Sequence, residues 1–268
     1  MACSLLTSVT AVDPNGKQIA ITNENNFSLK KGSKLNYRVT TASNGVAKSD
    51  KFNLFVIKGN DRYYEDLVKW ANKLPDSTKN DSKKLEDAIN DKIDESRLVD
   101  TVYSQQLSTN SNGVYQGSYT IPSYMDNKNF FFVFSYGYSK DSEKGTKSKA
   151  KEGAIAYFTR AALLGLAPVG GAAGWALLGT EIGAEIAYEY VKALRYAPAG
   201  KSKHGCSFPN NQVIIKKYSF KPTPEIEIQL PVKTQNDVDI FANLEIPKPI
   251  LVFGGGAIIF LLIERLIK

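Results

Sequence analysis

Two stretches of this chain carry no ionisable side chain at all: 161–180 (AALLGLAPVGGAAGWALLGT) and 249–263 (PILVFGGGAIIFLLI). Any fold must bury them, pair them or place them in lipid. The first is interrupted by Ala167-Pro168-Val169-Gly170-Gly171. Proline disfavours helix in the residue before it, and paired glycines weaken a helix interior. The interruption therefore predicts a helical hairpin over 153–197, each arm uncharged for about ten residues against the roughly 20 needed to span a bilayer. Gly170, Gly174, Gly179 and Gly183 give two GxxxG spacings, a glycine-zipper pattern that lets another helix approach closely, within the chain or in an oligomer. The second stretch extends to about 22 Å as a helix. Lys248 flanks it on one side and Arg265 and Lys268 on the other, as in a tail anchor. Ile250, Leu251, Val252, Phe253, Ile258, Ile259, Phe260, Leu261, Leu262 and Ile263 are the expected lipid-facing residues.

Chemistry is constrained by scarcity. One His and two Cys among 268 residues leave too few ligands for a structural zinc site, which wants about four, and no material for a His-based triad. Cys3 and Cys206 show no framework spacing and are expected as free thiols. His204-Gly205-Cys206 brings two soft ligands together, too few for a closed site. The Gly-rich run lacks the Lys-Ser/Thr of a P-loop. No catalytic residue, cofactor, metal or small-molecule substrate is expected. The +7 net charge concentrates suggestively in 140–151 (KDSEKGTKSKAK). There Lys144, Lys147, Lys149 and Lys151 read as a basic collar facing anionic lipid, at about 1 kcal/mol per lysine near a charged surface, in preference to nucleic acid. The first residues contain no basic stretch followed by a long apolar one, so no secretory signal is read there.

The polar remainder alternates like strands. Asp13-Pro14-Asn15-Gly16 and Asn44-Gly45 are turns with a chemical cause; Leu35, Tyr37 and Val39 alternate with polar neighbours. From Tyr64 the period becomes helical, with stripes Tyr64, Leu67, Val68, Ala71 and then Leu85, Ala88, Ile89, Ile93, the second capped by Asp81 or Ser82. In NFFFVFSYGYS, Phe130, Phe132, Phe134 and Tyr136 share one face and Phe131, Val133 and Ser135 the other, as a central strand would.

The phrase NGVYQGSYTIPS before this aromatic strand resembles the late hairpin of bacterial and phage immunoglobulin-like modules, which implies a β-sandwich. The expected fold is mostly β with helices (α+β): an immunoglobulin-like antiparallel β-sandwich over 1–139 with a helical insertion at 61–97. A Lys-rich linker at 140–152, the Gly-rich apolar hairpin at 153–197, an extended or β segment at 198–246 and a C-terminal transmembrane helix at 247–268 follow. This plan resembles the minor capsid and membrane-associated proteins of icosahedral phages with an internal membrane. The resemblance implies a non-enzymatic structural protein linking a protein shell to a bilayer, with lipid and other structural proteins as partners, in a virion membrane or host inner membrane. A pore-forming or translocation protein using the hairpin and a cell-envelope adhesin or scaffold are the alternatives.

Overall fold

A computed structural model describes residues 2–163 and 171–223. These belong to one compact unit, Met1–Glu225. Its strands are β1 Cys3–Val12, β2 Gln18–Ile21, β3 Asn26–Lys30, β4 Lys34–Ser43, β5 Val46–Ala47, β6 Lys51–Gly59, β7 Val99–Ser108, β8 Val114–Thr120, β9 Phe130–Tyr136 and β10 Ile214–Thr223. Its α-helices are α1 Asp61–Asn72, α2 Asp76–Lys79, α3 Ser82–Lys92, α4 Lys140–Leu163 and α5 Gly171–Tyr196.

Turn chemistry starts the first sheet. Gly16 (φ 83°) closes the turn from β1 to β2, where the Asp13 carboxylate accepts from the Lys17 amide at 2.7 Å. Asn44 and Gly45, both at positive φ, make the tight turn from β4 to β5. The resulting sheet runs β2-β1-β4-β5, with β8 also paired to β4. Alternation in β4 sends Leu35, Tyr37 and Val39 inward. They meet the aromatic face of β9, with the Tyr37 and Phe134 ring centroids 5.3 Å apart and those of Phe132 and Phe134 5.0 Å apart.

The second sheet runs β3-β10-β9-β6-β7. All seven residues of β9 are buried, because this sheet is covered twice. Phe130, Phe132 and Phe134 face the first sheet, while Phe131 and Val133, with Ile57 and Ile215, pack beneath the helices. The described unit is thus three layers, sheet on sheet on helices.

This corrects the expected fold in two respects. An immunoglobulin-like antiparallel sandwich has no helical third layer, and here β10 pairs in parallel with β3 while remaining antiparallel to β9. The topology follows from the hairpin. A pair of antiparallel helices returns the chain to the end of the sheet from which β9 left it, so β10 runs antiparallel to β9 and lies parallel to β3 on its other side. Second, 140–152 is not a linker but the first half of α4. Its buried residues Ser142, Thr146, Ala150 and Ala154 recur every fourth position; small side chains pack closely but leave no apolar signature. Among the described residues no helix is long and apolar enough to cross a membrane. The expected transmembrane helix at 247–268, and 224–246, lie outside the described residues. Of the extended segment, β10 completes the second sheet.

Cys3 and Cys206 are not free thiols. They form a disulfide with a Cα–Cα distance of 5.4 Å across a sequence separation of 203. The pairing follows from topology: the Cys3 amide donates to the Ser207 carbonyl at 2.9 Å, holding the start of β1 against the loop after α5.

Candidate functional site

The hairpin end formed by the C-terminus of α4 and the N-terminus of α5 carries an uncharged, partly exposed surface. α4 and α5 pack antiparallel, in a register fixed where a Cβ on Gly153 would lie 3.7 Å from Cβ of Glu189. Equal rise along both helices brings Arg160 level with Ile182, one residue from Glu181. From this level toward the C-terminus of α5, Glu181, Glu185 and Glu189 alternate with the buried Ile182, Ile186 and Tyr190. Beyond it no residue from 161 to 180 is ionisable, and α5 starts with Gly171–Leu178, roughly 12 Å of helix.

One flank of that stretch is covered. Trp175 and Leu178 pack against the core that α1 and α3 contribute. A small cavity of about 30 Å³ remains between Val68, Ala71, Leu85, Phe158, Ala161 and Ile182. The other flank is open: Ala172, Ala173 and Ala176 are exposed, Leu163 keeps 46% of its surface and Leu177 63%. An isolated exposed leucine is ordinary. Two of them at one end of a helix pair, with no charge in the surrounding 20 residues, make a polarity step at the Arg160 and Glu181 level. Tyr157 stands just inside this step, its hydroxyl pKa raised by burial and then by Glu185 and Glu181.

The glycines expected to bind another helix are placed as follows. Gly179 and Gly183 face α1: a Cβ on Gly179 would come within 2.8 Å of the Asp61 carbonyl oxygen, and one on Gly183 within 2.5 Å of an Asp61 carboxylate oxygen. A Cβ on Gly59, at the end of β6, would overlap the Gly183 backbone. This half of the motif therefore serves packing inside the chain. Gly174 is half-buried near the start of α5, and Gly170 lies outside the described residues. The close approach draws Asp61 into the interface. Burial raises its carboxyl pKa, against the pull of Lys128, whose ammonium lies 3.4 Å away and also donates to Thr180 at 2.5 Å.

The collar is not beside the apolar end. Lys144 and Lys151 precede Leu163 by 19 and 12 residues, about 29 and 18 Å along α4. Lys147 pairs with Glu143 at 2.8 Å, and Lys149 lies 5.5 Å from the Tyr196 ring centroid. The ten anchor residues from Ile250 to Ile263 lie outside the described residues.

Two features had no local sequence signal. Asp50 is buried and its carboxylate accepts from the Lys51 amide (2.8 Å), the Lys203 amide (3.1 Å) and the Tyr136 hydroxyl (2.7 Å). Burial, then Asp50, pushes the Tyr136 pKa upward. His204 Nε2 donates to the Ser49 carbonyl at 2.6 Å, so with Cys206 oxidised the loop offers no ligand pair. No cluster of three His, Cys, Asp or Glu suited to a metal occurs among the described residues. The other feature is a cationic cavity at the opposite end of α5, around Tyr188. No protein-family description, curated protein or solved structure matches the chain.

Proposed function

We propose that this is a non-enzymatic structural protein held at a lipid bilayer by the apolar run 249–263, with the open end of the hairpin dipping into the same membrane. The observation that carries the reading is the polarity step at Arg160 and Glu181, beyond which Leu163 and Leu177 stand exposed in an uncharged stretch. Burying a leucine fully is worth about 1.5 to 3 kcal/mol, so two leucines alone give weak, reversible attachment. The run at 249–263, with ten large apolar residues, supplies most of the hold, and the hairpin orients the body. The layered body then presents its edge strands to a protein layer. A virion shell around an internal membrane is the setting this proposal names.

Flotation of the full chain with neutral vesicles tests it. Deleting 249–268 should abolish most flotation, and Leu163→Glu/Leu177→Glu should weaken what remains. Undiminished flotation after both changes would overturn the proposal, and dye release from the vesicles would replace it with the pore-forming reading. The disulfide favours a second reading, a cell-envelope scaffold, since disulfides persist in oxidising compartments. Labelling of the body by an impermeant reagent on intact cells would select it.

A further inference from the structure

The C-terminal half of α5 forms one wall of a cavity whose floor is the helix-facing side of β10. The cavity, of about 190 Å³, is lined by Tyr188, Lys192, Arg195, Tyr196, Ile215 and Lys217. It adjoins a larger one of about 390 Å³ that shares Tyr188 and Lys217 and continues past Phe131 and Ser219 to the turn at Asn25. Two ammonium groups lie against the Tyr188 ring, with Lys217 Nζ 4.0 Å and Lys192 Nζ 4.6 Å from its centroid. Three cations thus converge on one concavity. Glu189 holds Lys192 at 2.6 Å, and Glu185 and Glu24 line the adjoining cavity. Among the described residues neither Arg195 nor Lys217 has an ion-pair partner.

Lys192 and Arg195 lie near the C-terminus of α5, where cations offset the helix dipole, and this would account for them alone. It does not account for Lys217, which arrives from the sheet, half-buried among like charges. Its pKa is lowered, by burial first and then by Arg195 and Lys192, against Glu189. An uncompensated cation held in such surroundings costs stability, and a bound anion removes that cost.

From this convergence we infer that the cavity beside Tyr188 is a binding site for a phosphate group. A guanidinium and a lysine ammonium match phosphate oxygens with charge-assisted hydrogen bonds. The adjoining cavity gives room for whatever the phosphate carries, against the Tyr188 and Phe131 rings. The phosphate can belong to a soluble monoester or to a lipid headgroup, and the test separates these.

The full-length protein is titrated calorimetrically with glycerol 3-phosphate, and separately with phosphatidylcholine vesicles with and without phosphatidic acid. The Lys217 side-chain nitrogen is followed by NMR across pH. Saturable binding of glycerol 3-phosphate that raises the Lys217 pKa supports a soluble ligand. A phosphatidic acid increment with the same Lys217 response, without binding of glycerol 3-phosphate, supports a headgroup. Lys217→Met, which keeps the apolar stem, and Arg195→Gln, at an exposed position, should each weaken binding about tenfold or more, and Lys83→Gln on α3 should not. Absence of saturable binding in both arms, or binding unchanged in both variants, overturns the site.

Discussion

Asp50 is the buried charged side chain of the described residues, and its neighbours explain why it is tolerated. Its oxygens accept two backbone amides and the Tyr136 hydroxyl, so the charge lost from water is recovered in hydrogen bonds. Through the Lys203 amide it holds the loop that carries Cys206. Asp50→Ala leaves those donors unmet in a buried place and should cost about 3 kcal/mol, at 1 to 3 kcal/mol per stranded group. Tyr136→Phe removes one donor from a carboxylate that keeps its others, and should cost about 1 kcal/mol. Urea unfolding of both variants checks the ranking, and hydrogen exchange at the Lys203 amide should speed up only in the first. Equal costs would show that the hydroxyl, not the backbone amides, carries the interaction.

At the scale of elements, the glycines of the hairpin divide by what stands opposite them. Alanine in place of an interior helix glycine gains up to about 1 kcal/mol where space allows. Gly153 has that space, its added Cβ meeting Glu189 at an ordinary 3.7 Å, so Gly153→Ala should stabilise. Gly179 does not: the Asp61 carbonyl at 2.8 Å and the Glu65 amide at 2.9 Å are backbone and cannot swing away. Gly179→Ala should therefore destabilise by about 1 to 3 kcal/mol, and thermal unfolding of the pair should move in opposite directions.

The same contrast shows what was legible in the sequence. Alternation in β4 and β9 and the stripes of α1 and α3 follow from spacing alone, because large apolar residues mark the buried face. The first half of α4 reads as a linker in the sequence because Ser142, Thr146 and Ala150 bury a face with almost no apolar signal. The glycine spacing was visible, but its partner, α1, lies more than 100 residues away and is brought there only by β6. The parallel register of β3 with β10 and the meeting of Lys217 with Arg195 are likewise products of topology.

For the whole molecule, the Cys3–Cys206 bond joins the first strand of one sheet to the loop that leads into the last described strand of the other. It therefore closes nearly the entire body into one loop, with a separation of 203 residues. A loop this long removes much entropy from the unfolded chain, about 5 kcal/mol at most by the chain-entropy relation, and measured losses usually fall at 2 to 5 kcal/mol. The bond also constrains the native layers little, since the Cys3 amide, Ser207 carbonyl and Asp50 contacts hold the same junction without it. Reduction should thus lower stability through the unfolded state while leaving the fold intact. Denaturation with and without a thiol reductant should show a stability lower by 2 to 5 kcal/mol on reduction, with a steeper slope because the unfolded chain is released from its cross-link, and Cys3→Ser/Cys206→Ser should reproduce it. If the double variant matched the oxidised protein in stability, the bond would be dispensable to the body, and the argument for an oxidising surrounding would fall with it.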